Sequence, residues 1–237
     1  MLISIIVPTF NEKYNIEKVI NNIITRISGN KQIIIIDDGS NDGTTEILKK
    51  KLFLKVDKII FHSTNLGKGA AIKSSLPYLK GDIVAIQDSD LEYNPYDLNK
   101  LIDLIDKGIT NVSYGSRVLG KKRYNNKNFI SNFRIFGNHL LTIISNKLNN
   151  QKLTDAHTCY KVFKTNIFKQ LNLSENGFSF CPEVTTKLSK MNEKIIELPI
   201  EYMGRSVEEG KKIRLKDAFK RGSNELINFS TSLSVHR

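Results

Sequence analysis

Cysteine is scarce, long apolar runs are missing, and acidic residues are outnumbered. The 237 residues contain two cysteines, Cys159 and Cys181. Their spacing fits neither a zinc site nor a disulfide framework, so a reducing, cytoplasmic compartment is expected. The longest purely aliphatic run is the four residues 33–36, far short of the ~18–20 needed to span a bilayer. The opening Met1-Leu2-Ile3-Ser4 has neither a basic leader nor a small-residue cleavage site, and no signal peptide is expected. There is no internal repeat, low-complexity tract or linker. One domain over residues 1–237 is therefore expected.

Acidic residues number 24 against 36 Lys and Arg, a formal charge of +12. Residues 1–118 hold 15 basic and 14 acidic residues, a net of +1; residues 119–237 hold 21 and 10, a net of +11. A neutral half joined to a basic half suggests two tasks, the second involving an anion. Hydrophobic residues make up 40%, enough for a core, so this charge does not signal disorder.

Two hydrophobic periods alternate through the first half. Short apolar runs at 3–7, 33–36, 58–62, 82–87 and 111–114 read as strands. Helical spacing appears over 12–28, 44–52, 69–79 and 94–108, with Asn94-Pro95 as a helix start. The alternation predicts an α/β fold with a doubly wound, mainly parallel sheet and helices on both faces. In such sheets ligands bind at the carboxyl ends of the strands. The second half is less regular, with helices predicted over 130–148, 183–190 and 217–229, and strands over 160–163 and 195–202.

Asp88-Ser89-Asp90 follows the fourth strand. A spacing of two puts both carboxylates on one side of an extended chain, and Glu92 continues the series. Carboxylates gathered in this way call for a cation, and oxygen ligands suit Mg²⁺ or Mn²⁺, which also bind substrate phosphates. A solvated acidic turn is the plainer alternative. Asp37-Asp38-Gly39-Ser40 ends the second strand and fits either a ribose contact or a helix-capping turn. Asn65-Leu66-Gly67-Lys68-Gly69-Ala70-Ala71 is a glycine-rich helix opening in which the helix N-terminus and Lys68 suit an anion. It is not a P-loop: His62 stands where that motif needs its first glycine, and Gly69 where it needs Ser or Thr. No G-x-G-x-x-G follows the first strand, which disfavours a dinucleotide oxidoreductase.

In this order and spacing, Val7-Pro8-Thr9-Phe10-Asn11-Glu12, Asp37-Asp38-Gly39-Ser40, the Asn65–Ala71 segment, Asp88-Ser89-Asp90-Leu91-Glu92 and Gly115-Ser116-Arg117 resemble the family-2 glycosyltransferases of GT-A fold, in particular the polyprenyl-phosphate glycosyltransferases. The resemblance implies that Pro8, Thr9, Glu12 and Asp38 line the base and ribose pocket of a nucleotide-sugar, with Lys68 and Asp88 on the same donor side. It implies that Asp88, Asp90 and Glu92 surround a Mg²⁺ or Mn²⁺ ion and the donor diphosphate. Arg117, Arg134, Arg205 and Lys211 would bind the acceptor phosphate. Asp90, Asp155 and Arg117 would stand nearest the reacting carbon, with Asp155 positioning the acceptor or acting as a base; a structural Asp in a helix-to-strand turn is the equal alternative. Around Cys159, Tyr160 and Lys161 the chain departs from the family, which commonly has Gly-Phe or Phe-Arg there.

The implied activity is metal-dependent, inverting transfer of a hexose from a UDP- or GDP-sugar to a polyprenyl phosphate at the cytoplasmic membrane face. The alternative is transfer to a glycan or lipid-linked saccharide in envelope polysaccharide synthesis. Basic windows at 121–134 and 211–221 suit peripheral contact with anionic lipid, and a separate membrane-protein partner is compatible with it. No helix-turn-helix or RNA-binding signature supports a nucleic-acid partner. A sugar-1-phosphate nucleotidyltransferase is disfavoured because Pro8-Thr9-Phe10-Asn11 occupies the place of its glycine-rich signature.

Overall fold

A computed structural model describes residues 1–119 and 129–204, with 129–136 described by their backbone course. Seven strands form one sheet in the order β3-β2-β1-β4-β6-β5-β7. They are β1 (Leu2–Thr9), β2 (Asn30–Asp37), β3 (Lys58–Phe61), β4 (Ile83–Ile86), β5 (Val112–Ser116), β6 (Lys161–Lys164) and β7 (Ile195–Pro199). The helices are α1 (Ile16–Arg26), α2 (Thr44–Ile47), α3 (Lys68–Ser74), α4 (Tyr96–Asp106), α5 (Phe129–Asn149), α6 (Thr165–Gln170) and α7 (Phe180–Lys190). A wider π-helical turn, Leu48–Leu52, continues α2.

Alternation along the strands builds two cores. Ile3, Ile5 and Val7 of β1 face α1 and α4, meeting Val19, Ile23, Leu98 and Leu101. Ile6 points the other way, into the layer of α3, α6 and α7 with Ile72, Phe168 and Val184. Strands buried on both faces read as unbroken apolar runs, which is why Ile33, Ile34, Ile35 and Ile36 show no polar alternation. The predicted doubly wound α/β architecture is therefore present.

Three details differ from the sequence expectation. The helix expected over 69–79 stops at Ser74, and a 3₁₀ turn Leu76–Tyr78 follows. Pro77 has no N–H to continue the ladder. The last strand ends at Pro199 rather than 202. Strand β6 runs antiparallel to both β4 and β5. Residues 217–229 lie outside the described residues.

The topology gathers the loops of interest at one edge. Strands β1, β2, β3 and β4 are parallel, so residues after Thr9, Asp37, Phe61 and Ile86 emerge together. Strand β5 is parallel to β7 and antiparallel to β6, so Arg117 and the segment after Pro199 leave at that edge too. Because β6 runs in reverse, it is the chain entering it, residues 153–160, that reaches the same place.

Candidate active site

Where β2 ends, both aspartates, Asp37 and Asp38, are buried and occupied. Asp37 accepts from Ser40 N at 3.1 Å and from Thr45 Oγ1 at 2.5 Å. Asp38 accepts from Leu66 N at 2.9 Å and Gly67 N at 2.8 Å, and faces His62 Nδ1 at 2.7 Å. It thus ties the β2 loop to the glycine-rich loop. Thr9 is buried, and its carbonyl accepts from Asp38 N at 2.8 Å. The Pro8 carbonyl accepts from Ser89 Oγ at 3.1 Å, joining the first loop to the Asp88 turn. Glu12 is buried and accepts from Asn15 Nδ2 at 2.7 Å. Beside these loops lies an open depression of about 610 Å³, lined in part by Phe10, Gly39, Ser40, Asn41, Phe61 and Asn65. A second depression, about 510 Å³ around Met1, Asp82 and Thr165, is at the opposite edge of the sheet.

The glycine-rich loop serves a purpose that its sequence did not show. A Cβ on Gly69 would stand 2.3 Å from the Glu175 carbonyl, and one on Gly67 2.5 Å from that of Asn176. Ala70 N donates to Asn176 O at 2.9 Å. The opening of α3 is therefore occupied by the 174–177 segment rather than open to an anion. The Lys68 side chain turns away to Asp88, hydrogen-bonding its Oδ1, and lies 2.9 Å from Cys159 Sγ. Burial favours a neutral Lys68, but the Asp88 carboxylate overrides it and holds the ammonium charged well above its ordinary range. Asp88 is correspondingly lowered against its own burial, chiefly by Lys68. Burial, reinforced by Asp88, pushes the Cys159 thiol up to about 12, so it stays protonated.

Among the described residues, no three His, Cys, Asp or Glu side chains converge as a metal-binding group. Asp88, Asp90 and Glu92 thus differ from the expected three-carboxylate cluster, and the partners show why. Asp88 is neutralised by Lys68. Glu92 is buried and accepts from Tyr202 Oη at 2.5 Å. Asp90 Oδ1 accepts from Glu92 N at 3.1 Å, with Leu91 between them in a left-handed conformation (φ 61°). Asp88 and Asp90 nonetheless fit Mg²⁺ or Mn²⁺, which needs only one or two carboxylates when phosphate and water complete its shell.

On the other side of the turn, Arg117 and Asp155 form a two-pronged pair. Nε donates to Oδ2 at 2.7 Å, Nη2 to Oδ1 at 2.8 Å, and the Arg117 backbone N to Oδ2 at 3.1 Å. Burial raises Asp155, but Arg117 outweighs it, and the carboxyl sits below the ordinary range. The Glu197 carboxylate of β7 accepts from Asp155 N at 2.9 Å and Thr154 N at 2.6 Å, fixing the loop that carries the pair. The Arg117 guanidinium lies over the Tyr202 ring at 5.3 Å. Tyr202 also stands edge-on to Tyr93, with centroids 5.1 Å apart, and Tyr93 packs on Tyr160 at 4.6 Å.

Sequence reasoning missed Glu197, Tyr202, Tyr93 and Lys161. Lys161 is fully buried, donates to the carbonyls of Ala156 and Thr158, and sits 4.3 Å over the Tyr114 ring. A lysine opening an apolar strand was the available signal for it; the others carry no local signal. Arg205 and Lys211 lie outside the described residues, and of Arg134 only the backbone, inside α5, is described.

An Asp-x-Asp turn, an open depression and the Arg117–Asp155 pair lie together on the carboxyl edge of a doubly wound sheet, the layout of the GT-A fold. The sequence profile of glycosyl transferase family 2 matches residues 4–171, and the chain belongs to that family. The undecaprenyl-phosphate 4-deoxy-4-formamido-L-arabinose transferase of Aeromonas hydrophila is 24% identical over 215 residues, covering 89% of this chain and 62% of that protein. The dolichol-phosphate mannosyltransferase of Pyrococcus furiosus is 26% identical over 206 residues, covering 85% and 56%. The chain thus spans less than two thirds of the length of these relatives. Glucosyl-3-phosphoglycerate synthase of Mycobacterium tuberculosis, solved with Mn²⁺, UDP and glucosyl-3-phosphoglycerate, superposes with a TM-score of 0.70 at 18% identity, over 96% of this chain and 79% of that one. The same enzyme has been solved with Mg²⁺ and UDP.

Proposed function

We propose that this chain moves a hexose, with inversion, from a UDP- or GDP-sugar to a polyprenyl phosphate at the cytoplasmic face of a membrane. The observation that carries the reading is the commitment of Asp155 to Arg117. A sugar hydroxyl acceptor needs a general base. Asp155 is the carboxylate placed to be one, and both its oxygens already accept from Arg117. A phosphate monoester has a second pKa of about 6 and arrives ionised at neutral pH, needing an arginine clamp instead of a base. The names of the Aeromonas and Pyrococcus relatives, both acting on polyprenyl phosphates, support the same acceptor class.

In this reading Phe10 and the 39–41 loop hold the base, while Pro8, Thr9, Glu12 and Asp38 shape the ribose pocket. Asp88 and Asp90 would hold a divalent ion, which would supply charge neutralisation to the departing diphosphate, while Glu92 is held by Tyr202. Lys68 adds a positive charge on the same side. Arg117, held by Asp155, orients the acceptor phosphate, and an oxygen of that phosphate attacks the anomeric carbon as the bond to the diphosphate breaks. Arg134, Arg205 and Lys211 are proposed to extend the phosphate site.

Helix α5 supports the membrane location. It buries Thr142, Ser145 and Asn149 while Leu140, Ile143 and Leu148 are 48%, 49% and 41% exposed. Residues 107–154 contain nine Lys and Arg and no Asp or Glu. An outward apolar stripe in basic surroundings suits the interface of an anionic bilayer. No helix among the described residues is long and apolar enough to cross one.

The test is a panel of UDP- and GDP-sugars with Mn²⁺ or Mg²⁺ and undecaprenyl phosphate, with products identified by mass spectrometry. The expected product is a glycosyl phospholipid. Turnover confined to soluble saccharides would overturn the acceptor assignment.

A further inference from the structure

Lys68 stands where a cation is wanted. Its ammonium hydrogen-bonds Asp88, the first carboxylate of the Asp-x-Asp turn, and the two side chains are only 12% and 14% exposed. On its other side the ammonium meets Cys159 Sγ at 2.9 Å. The backbone beneath it cannot shift easily, because Gly67 and Gly69 are pressed against the carbonyls of Asn176 and Glu175. Any movement of this charge must come from the four-carbon side chain, which carries three donors that no fixed geometry constrains.

We propose that Lys68 is an internal counter-cation that holds Asp88 in the empty enzyme, is displaced by the divalent ion, and passes to the donor diphosphate. The proposal rests on the reading of the Asp88–Asp90 turn as a metal and diphosphate site. A divalent ion and an ammonium on one buried carboxylate repel each other. Without a donor, the incoming ion must expel an ammonium from its buried partner carboxylate, so metal alone binds weakly. With a nucleoside diphosphate present, the expelled ammonium gains phosphate oxygens, so metal and nucleotide bind cooperatively. The lysine thereby imposes joint arrival of the two ligands, a coupling between sites that is reciprocal by thermodynamic necessity.

The experiment is Mn²⁺ binding to the full chain, followed by electron paramagnetic resonance of free Mn²⁺ or by calorimetry, with and without UDP. In Lys68→Met, Mn²⁺ alone should bind about ten-fold more tightly than in the wild type, an order-of-magnitude expectation for removing one competing charge. UDP should tighten Mn²⁺ binding markedly in the wild type and much less in the variant. Lys68→Arg, which retains the charge, should behave like the wild type. Equal or weaker Mn²⁺ binding in Lys68→Met would overturn the proposal. Absence of Mn²⁺ binding to the wild type even with UDP would remove the metal site itself, and with it the reading of the turn. A second measurement needs no variant: acylation of Lys68 by acetic anhydride, read by mass spectrometry, should rise with Mn²⁺ alone and fall again when UDP is added. Labelling indifferent to Mn²⁺ would equally defeat the proposal.

Discussion

Asp155 shows how little a residue's type says about its task. Its carboxylate is nearly inaccessible, lowered by Arg117, and bound through both oxygens. Asp155→Asn leaves Arg117 buried beside a neutral amide, which should cost about 3–5 kcal/mol at neutral pH, the usual result of breaking a buried pair. The sign of its pH dependence follows from the lowered carboxyl. Its contribution is complete above the unfolded carboxylate value of about 3.9 and is lost as pH falls through the lower folded value. Urea unfolding of wild type and variant should therefore differ most near neutrality and converge below about pH 4. A gap that persists in acid would show that the carboxylate charge is not what matters. Asp155 was visible in the sequence either as a base or acceptor-positioning group or, equally, as a structural turn residue. Its partner in the structure is Arg117, 38 residues away in sequence, and no spacing rule reaches that far. Glu92 carried the same limit, since its partner Tyr202 is 110 residues downstream.

Among the elements, the strands and most helices of the first half could be read from periodicity because each buries one stripe or two full faces. The reversed direction of β6 could not. Its Val162 and Phe163 are as buried as the residues of the parallel strands, and direction depends on the connection rather than on composition. The glycine-rich loop was recognisable by its pattern, yet its physical cause lay in residues 174–177, which have no pattern of their own. Gly69→Ala tests that cause. The added methyl would approach the Glu175 carbonyl to 2.3 Å, and such overpacking typically costs 1–3 kcal/mol, measured as a lowered midpoint in thermal or denaturant unfolding. Gly108→Ala is a contrasting control on space alone, because nothing lies within 4 Å of its added Cβ, although its φ of +69° still imposes strain. If Gly69→Ala is as stable as the wild type, the 174–177 segment does not pack as described.

For the molecule as a whole, the charge divides at residue 118, with a net of +1 before it and +11 after it. The same charge predicts a physical behaviour. The protein should co-sediment with vesicles containing anionic lipid and not with neutral ones, and binding should weaken as salt rises. Leu140→Asp combined with Ile143→Asp should abolish most of that binding while leaving the unfolding midpoint nearly unchanged, because both side chains are already in solvent. Retained binding in the double variant would move the lipid contact elsewhere on the chain.

The antiparallel strand β6 has a consequence for the order in which the protein is assembled. Strands β1, β2, β3 and β4 can pair with one another using only the first 86 residues. The strand ends proposed to hold the nucleotide can therefore come together while the rest of the chain is still emerging from the ribosome. Strand β6 then docks on β4 across about 80 residues of sequence, and β7 on β5 across a similar span. These late, long-range closures bring Asp155 to Arg117 and Tyr202 to Glu92. On the proposed function, a chain interrupted before them would have strand ends for the nucleotide but no Arg117–Asp155 pair for the acceptor.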